Sequence, residues 1–202
     1  MTKTAVQAPR RERLLEAAAG LFAERGFHAV GIDDIGTAAG ITGPGVYRHF
    51  PSKCALLETL CDRALTRMLA GAREIPAAHP GDPAAALEEL VDLHVGFAVG
   101  ERPLLAVWLR EQRALSDGAR HSLRRRQRAY EHLWREVLGA LRGDLTAPEV
   151  ALAVATTLGM LNTSALVDTG LGADELARVL RRMALGALLA QGDGPGPPRG
   201  LD

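Results

Sequence analysis

Apolar residues recur at spacings of three and four along most of this 202-residue chain, and they almost nowhere alternate in twos. The first such stripe is Leu14, Leu15, Ala18, Leu21 and Phe22, which would form one face of an α-helix. Longer helices are expected beyond residue 80, at about 83–99, 102–115, 117–142, 147–168 and 173–190. The pattern therefore predicts an all-α fold of about nine helices.

Composition narrows the class of protein. The sequence has 24 Lys+Arg and 24 Asp+Glu, so no overall charge attracts it to nucleic acid or to a membrane. No uninterrupted apolar run reaches membrane-spanning length and the N-terminus has no signal-peptide pattern, so we expect a cytoplasmic protein without membrane contact. The two cysteines, Cys54 and Cys61, are seven residues apart on one predicted helix, and we expect inert thiols rather than a redox pair.

A Pro- and Gly-rich stretch, "EIPAAHPGDPAAA" at 74–86, is typical of a linker. It divides the chain into an N-terminal region at 10–73 and a second helical region at 74–190. Residues 1–9 would be a flexible arm, and residues 191–202, which include "GDGPGPPRG", a disordered tail.

The stretch "GITGPGVYRHFPSK" at 40–53 follows a short apolar stripe and has the spacing of a helix-turn-helix. Thr42 fits the N-cap of the second short helix, and Pro44 falls in its first turn, where a missing N–H costs nothing. Val46 and Phe50 are four residues apart and would face the core. The helix is predicted to span 42–50.

The remaining side chains of this helix would face outward. Gly43 and Gly45 lack side chains and would let the backbone approach a surface closely, as a recognition helix does in the DNA major groove. The alternative is a Gly-rich connector with Tyr47 half-buried. The outward-facing candidates for DNA binding are Thr42, Gly43, Pro44, Tyr47, Arg48 and His49.

Residues 10–57, with "LFAERGF", "AAGI" and above all "VYRHFPSKCALL" in this order, resemble the DNA-binding region of the TetR family of bacterial repressors. The resemblance implies a three-helix DNA-binding domain followed by a helical domain that binds a ligand and dimerises. It further implies that Tyr47, His49 and Lys53 contact phosphates, while Thr42, Gly43 and Pro44 lie nearest the bases. Arg48 would reach a guanine or a phosphate.

The sequence departs from the commoner family pattern at three glycines. Gly43 and Gly45 stand where polar residues are common, and Gly31 stands where a threonine often caps the second helix. Each change removes a polar contact. We therefore expect base readout through few side chains, supported by DNA shape, or simply a local accommodation of the backbone.

The middle helices of the second region carry most of the large aromatic residues, with isolated polar residues among them. Such a mixture suits a pocket for a small hydrophobic effector. The alternative is that the tryptophans belong to an ordinary core and the histidine is structural. The candidate ligand-binding residues are His94, Phe97, Trp108, Tyr130, Trp134 and Asn162.

Two further features allow more than one interpretation. The last two helices are rich in small and apolar residues, which suits either a dimer interface, where the family dimerises, or a core. Residues 110–135 contain eight arginines, and the "RRRQR" run at 124–128 is either a solvated face or a partner for an anionic ligand such as an acyl-CoA.

The resemblance and the residues together predict a ligand-responsive regulator. It would bind a palindromic operator in double-stranded DNA as a homodimer, most simply as a repressor, and be released by a small hydrophobic effector, with acyl-CoA and lipid-like molecules as candidates. The alternatives are an activator, or a helical ligand-binding or scaffold protein without DNA binding. No enzyme motif, cofactor site or metal-binding His spacing is apparent in the sequence, so neither catalysis nor a cofactor is expected.

Overall fold

The computed structural model describes residues 9–190. Within them the protein consists of α-helices with two short 3₁₀ turns, at 112–114 and 164–166, and no strand. The helices are α1 (Arg10–Arg25), α2 (Ile32–Ala38), α3 (Gly43–Tyr47), α4 (Lys53–Ala78), α5 (Pro83–Gly100), α6 (Arg102–Glu111), α7 (Asp117–Leu141), α8 (Ala147–Thr163) and α9 (Ala173–Leu189). The all-α prediction is confirmed. Residues 1–8 of the predicted arm and the predicted tail at 191–202 lie outside the described residues.

Two main hydrophobic cores organise the helices. The first joins α1, α2, α3 and the start of α4. It includes Phe22 and Ile35, together with Val46 and Phe50, which the sequence predicts to face the core. The second joins the end of α4 to α5, α7, α8 and α9 around the fully buried Trp134. Because α4 contributes to both cores, the two regions are connected by a helix rather than only by a loop.

Glycines with positive φ follow the first two helices. Gly26 ends α1 with φ +83° and ψ 153°, so it combines a positive φ with an extended ψ instead of the left-handed helical value. Gly40 follows α2 with φ +67°, and the N–H of Ile41 donates to the carbonyl of Gly36 at 2.8 Å. Both positions exclude most side chains for conformational reasons.

The second short helix is shorter than predicted. α3 spans Gly43–Tyr47 instead of 42–50, although the N–H of Phe50 still donates to the carbonyl of Val46 at 3.0 Å. Thr42 occupies the predicted N-cap position with extended backbone, but its side chain makes no capping hydrogen bond. The backbone geometry, rather than the hydroxyl, therefore starts this helix.

The predicted linker is largely helical. α4 continues to Ala78 with Pro76 inside its last turn, and α5 begins at Pro83, so only 79–82 form the turn. Ile75 is 3% exposed and packs in the second core, which holds the helix together past the proline. Tertiary packing overrides the local preference here.

The segment that contains α8 is more apolar than the search for membrane-spanning runs in the sequence indicated. Residues Ala147–Leu166 form a stretch of 20 residues with mean hydropathy 1.2, long and apolar enough by composition to cross a membrane, yet only 39% of it is buried within the protein. Apolar and small side chains of α8 therefore remain on the surface.

Gly36 is the tightest point of the helix-turn-helix. A Cβ there would lie 2.7 Å from the carbonyl oxygen of Ile41 and 3.3 Å from the backbone N of Gly43, and backbone atoms cannot move aside cheaply. We expect Gly36→Ala to lower the free energy of unfolding by about 1–3 kcal/mol and to displace α3.

Urea unfolding followed by circular dichroism checks this expectation. Gly20→Ala is the matched control, because Gly20 is exposed on α1 and a Cβ there has no neighbour within 4 Å. That change should stabilise the protein by up to about 1 kcal/mol. Equal effects of the two substitutions would contradict the assigned close contact.

Candidate nucleic-acid interface and internal cavity

α3 presents one exposed face. Thr42, Pro44, Tyr47, Arg48 and His49 are exposed, with Tyr47 56% exposed, while Val46 and Phe50 are buried. Pro44, Tyr47 and Arg48 are three and four residues apart and so share one side of the helix. The connector alternative with a half-buried Tyr47 does not fit this geometry.

The glycines of this surface have structural explanations. A Cβ at Gly43 would lie 1.9 Å from Oδ1 of Asp33, so the Asp33 carboxylate occupies the space that a side chain at 43 would take. At Gly31 the backbone N–H donates to Asp34 Oδ2 at 2.7 Å, so a carboxylate from within α2 stabilises the start of that helix. The missing threonine cap is thus partly replaced.

Lys53 lies differently from the prediction. Its Nζ donates to the carbonyl oxygens of Phe27 at 2.6 Å and Val30 at 2.7 Å, and it lies 4.5 Å from the centroid of the Phe27 ring. The side chain therefore holds the α1–α2 loop against the start of α4. Its contact with phosphate stays a prediction, and the geometry assigns Lys53 first to the stability of the domain.

A cavity of about 340 Å³ lies between α4, α5, α6, α7 and α8. Its size is at the lower end of the range for small-molecule sites. Five of the six candidate ligand-binding residues line it: His94, Phe97, Trp108, Tyr130 and Asn162. Most of the other lining residues are apolar or small, and they are Cys61, Ala64, Leu65, Met68, Leu104, Leu105, Ala155, Leu158 and Gly159.

Trp134 does not line the cavity, and its assignment to the ligand site is wrong. It is fully buried in the second core, one helical turn beyond Tyr130, with its ring edge-on to His94 at a centroid distance of 6.0 Å. The periodicity of α7 places Tyr130 at the cavity wall and Trp134 in the packing behind it.

Gln127, one of the isolated polar residues of the middle helices, also lines the cavity, and so does Glu131, for which the sequence predicts no ligand role. They are four residues apart on α7, and Gln127 Nε2 donates to Glu131 Oε1 at 3.1 Å, while Arg135 donates to the same carboxylate at 3.0 Å. Gln127 is three residues from Tyr130 along α7 and Glu131 is three residues from Trp134, and this spacing indicates a shared side of the helix. The many arginines of α7 make the spacing hard to recognise in the sequence.

Three polar side chains from three helices meet at one end of the cavity. The Tyr130 hydroxyl donates to His94 Nδ1 at 3.0 Å, and His94 Nε2–H donates to Asn162 Oδ1 at 3.1 Å. His94 is 3% exposed, and burial lowers its pKa to about 4. His94 is therefore neutral near pH 7 and joins α5 to α7 and α8.

The other titratable groups of the lining are also mostly uncharged. Burial raises the pKa of the Cys61 thiol to about 12 and raises the pKa of Tyr130. Glu131 is the remaining acidic side chain in the wall, and no lysine or arginine lines the cavity within residues 9–190. The described residues also hold no cluster of three or more His, Cys, Asp and Glu side chains that could bind a metal ion.

Comparison with known proteins decides the family. Residues 14–60 match the family "Bacterial regulatory proteins, tetR family", and residues 80–188 match "Tetracyclin repressor-like, C-terminal domain". The chain belongs to the TetR family. Its first region is the family's helix-turn-helix DNA-binding domain, and the family consists of regulatory transcription factors rather than enzymes.

The relatives of this TetR-family chain differ in coverage. It is 32% identical over 149 residues to the HTH-type transcriptional repressor KstR2 of Rhodococcus jostii (strain RHA1), across 70% of this chain and 72% of the relative. It is 40% identical over 65 residues to the HTH-type transcriptional activator FasR of Mycolicibacterium smegmatis, but this covers only 32% of the chain and 30% of FasR. The structure of AibR in complex with isovaleryl coenzyme A and operator DNA superposes with a TM-score of 0.72 at 19% identity, covering 87% and 97% of the two chains.

The buried His94 predicts an acid sensitivity of this TetR-family fold. Because its pKa of about 4 lies below the ordinary 6.5, the unfolded chain binds more protons between these values. The free energy of unfolding should therefore fall as the pH falls from 6.5 towards 4, by up to about 3 kcal/mol from this residue.

Urea unfolding at pH 7.5 and pH 4.5 measures this loss. His94→Gln should reduce the difference between the two pH values, whereas His121→Gln, at an exposed position on α7, should leave it unchanged. An identical pH dependence in the wild type and His94→Gln would contradict the assignment.

Proposed function

We propose that this TetR-family regulator is a repressor that binds a palindromic operator as a homodimer and leaves it when a small hydrophobic effector enters the cavity. The observation that carries the DNA part is the exposed face of α3, since Pro44, Tyr47 and Arg48 point away from a core that holds Val46 and Phe50. Tyr47 and His49 would donate to phosphates, while Thr42, Gly43, Pro44 and Arg48 would meet base edges.

The surface of α8 and α9 supports a dimer. Leu152 is 65% exposed and Met183 is 47% exposed, and the neighbouring exposed residues on both helices are mainly small, including Ala155, Gly159 and Gly186. A surface of this kind is suited to close packing against a second copy. Two recognition helices would then read two operator half-sites.

The position of the cavity supports coupling between effector and DNA. On α6, Leu104 and Val107 pack in the core of the DNA-binding domain, while Leu105 and Trp108 line the cavity together with Leu104. An effector that displaces α6 would therefore press directly on α1, against which α6 packs. Effector and operator affinities must then change each other by the same factor.

The repressor assignment draws on KstR2, the relative whose match extends through both regions. The FasR match is confined to 65 residues and does not favour an activator by itself. AibR, whose structure contains an acyl-CoA and operator DNA, supports a small-molecule effector in this fold. A cytoplasmic location accords with a protein that acts on chromosomal DNA.

Substitutions on α3 test the DNA-binding role. Arg48→Ala and Pro44→Ala should weaken binding to the operator more than to a scrambled duplex, by about 1–3 kcal/mol for each lost base contact. Tyr47→Ala should weaken both by a similar factor, since a phosphate contact carries no sequence information.

Fluorescence anisotropy at constant salt, on a site selected from fragmented genomic DNA, measures these differences. Thr66→Ala, exposed on α4 outside the helix-turn-helix, is the control and should change neither affinity. Lys53→Ala is unsuitable because that side chain stabilises the domain. Unchanged binding in all three α3 variants would refute α3 as the element that contacts DNA. The absence of salt-dependent DNA binding by the wild type would leave a helical ligand-binding protein as the better description.

The α8–α9 surface gives a separate test of the dimer. Leu152→Glu and Met183→Glu should each shift the protein to a monomer in analytical ultracentrifugation, because a buried carboxylate at a small apolar interface lacks a partner. Ala77→Glu, exposed near the end of α4, should stay dimeric. A wild-type protein that sediments as a monomer at micromolar concentration would refute the proposed interface.

A further inference from the structure

We propose that the ligand of the cavity is an uncharged, mainly apolar molecule with one hydroxyl or carbonyl group, which binds at the polar end formed by His94, Tyr130 and Asn162. This inference rests on the proposed effector role of the cavity and narrows the class of effector. It excludes free carboxylates such as fatty acids from this position.

The polar end offers a specific pair of hydrogen-bonding groups. With Tyr130 donating to His94 Nδ1 and His94 Nε2–H donating to Asn162 Oδ1, the Tyr130 oxygen can accept one further hydrogen bond and the Asn162 amide nitrogen can still donate. Reversing the histidine tautomer and the amide orientation exchanges the two roles but again leaves one donor and one acceptor. A hydroxyl group complements both, and a carbonyl group complements the donor.

An anionic head group finds no counter-charge in this cavity. Within residues 9–190 its walls contain no lysine or arginine, His94 is neutral, and the acidic wall residue Glu131 is already paired with Arg135. Arg135 and Gln127 already donate to Glu131. A carboxylate would therefore lose its hydration without gaining an ion pair, which is strongly unfavourable.

The same arrangement disfavours an amine. Glu131 is the one carboxylate in the described wall, and its two oxygens already accept from Gln127 and Arg135. The aromatic and aliphatic walls formed by Phe97, Trp108 and Leu158 suit a ring or short chain instead. A cavity of about 340 Å³ is at the lower end of the range for small-molecule sites, so we expect a small ligand.

A matched series of probes tests the ligand class. Calorimetry with DNA-free wild-type protein at pH 7.5 would compare 4-butylphenol, butylbenzene, 4-butylbenzoate and 4-butylbenzylamine, which share one apolar body. We expect 4-butylphenol to bind about 3- to 10-fold more tightly than butylbenzene, through one or two neutral hydrogen bonds. The benzoate and the benzylamine should bind at least about 10-fold more weakly than the phenol.

Two conservative variants separate hydrogen bonding from packing. Tyr130→Phe and Asn162→Leu should reduce the affinity for 4-butylphenol to that for butylbenzene, with butylbenzene itself changing by less than about 2-fold. His132→Leu, an exposed histidine on α7 outside the cavity, should keep the full preference for the phenol. Circular dichroism on each variant confirms that the fold is retained.

The opposite results would overturn the inference. They are equal or tighter binding of the benzoate or the benzylamine, an unchanged phenol preference in both variants, or binding of decanoyl-CoA without binding of 4-butylphenol. These outcomes are independent of the regulatory role, because they use protein without DNA. If the phenol binds as expected but does not release operator DNA, the ligand class stands and the proposed release mechanism fails.

Discussion

The continuous helix α4 is the constraint on which the rest of the structure depends. Its first turns pack Leu56, Leu57 and Leu60 into the DNA-binding core, and its last turns pack Met68 and Ile75 into the second core. At 26 residues it is about 39 Å long and is continuous from Lys53 to Ala78. Lys53 fixes its start to the α1–α2 loop through the carbonyls of Phe27 and Val30. The same helix, α4, therefore connects the core that supports α3 to the wall of the cavity.

The helix boundaries of the second region follow closely from the sequence because Pro, Gly and small polar residues coincide with real turns there. The linker prediction is wrong because Ile75, beside Pro76, is buried in the second core, and the local sequence pattern does not report tertiary burial. The mixture of aromatic and polar side chains in the sequence was enough to predict five cavity residues. Whether Trp134 or Tyr130 faces the cavity depends on how α7 is rotated about its axis, which the sequence does not show. The hydrogen bonds from Lys53 to backbone carbonyls could not be predicted from the sequence either, since its partners are 23 to 26 residues away.

α6 contributes both to the core of the DNA-binding domain and to the wall of the cavity. Leu104 belongs to the first core and also lines the cavity, so no protein layer separates the two. A close-packed interior transmits a displacement instead of absorbing it, so a ligand that displaced Leu104 would also disturb the core of the DNA-binding domain. A bidentate ion pair between Glu12 of α1 and Arg63 of α4 further ties α1 to the same helix that lines the cavity. Because this pair is partly exposed, it orients the helices more than it stabilises them.

The arginine side chains of α7 do not line the cavity. Arg126 pairs with Asp62 on α4, Arg120 pairs with Asp117, and Arg135 pairs with Glu131, while Arg124, Arg125 and Arg128 are exposed. The arginine-rich run is thus partly a set of inter-helix and intra-helix ion pairs and partly a solvated face. All of these arginines lie outside the cavity lining, whereas Tyr130 on the same helix turns a neutral hydroxyl inward. A guanidinium in the cavity wall would lose its hydration and would need a buried partner of opposite charge. It would also favour anionic ligands. The helix that carries the most charge on its surface therefore presents mainly neutral groups to the ligand, and this contrast favours an uncharged effector.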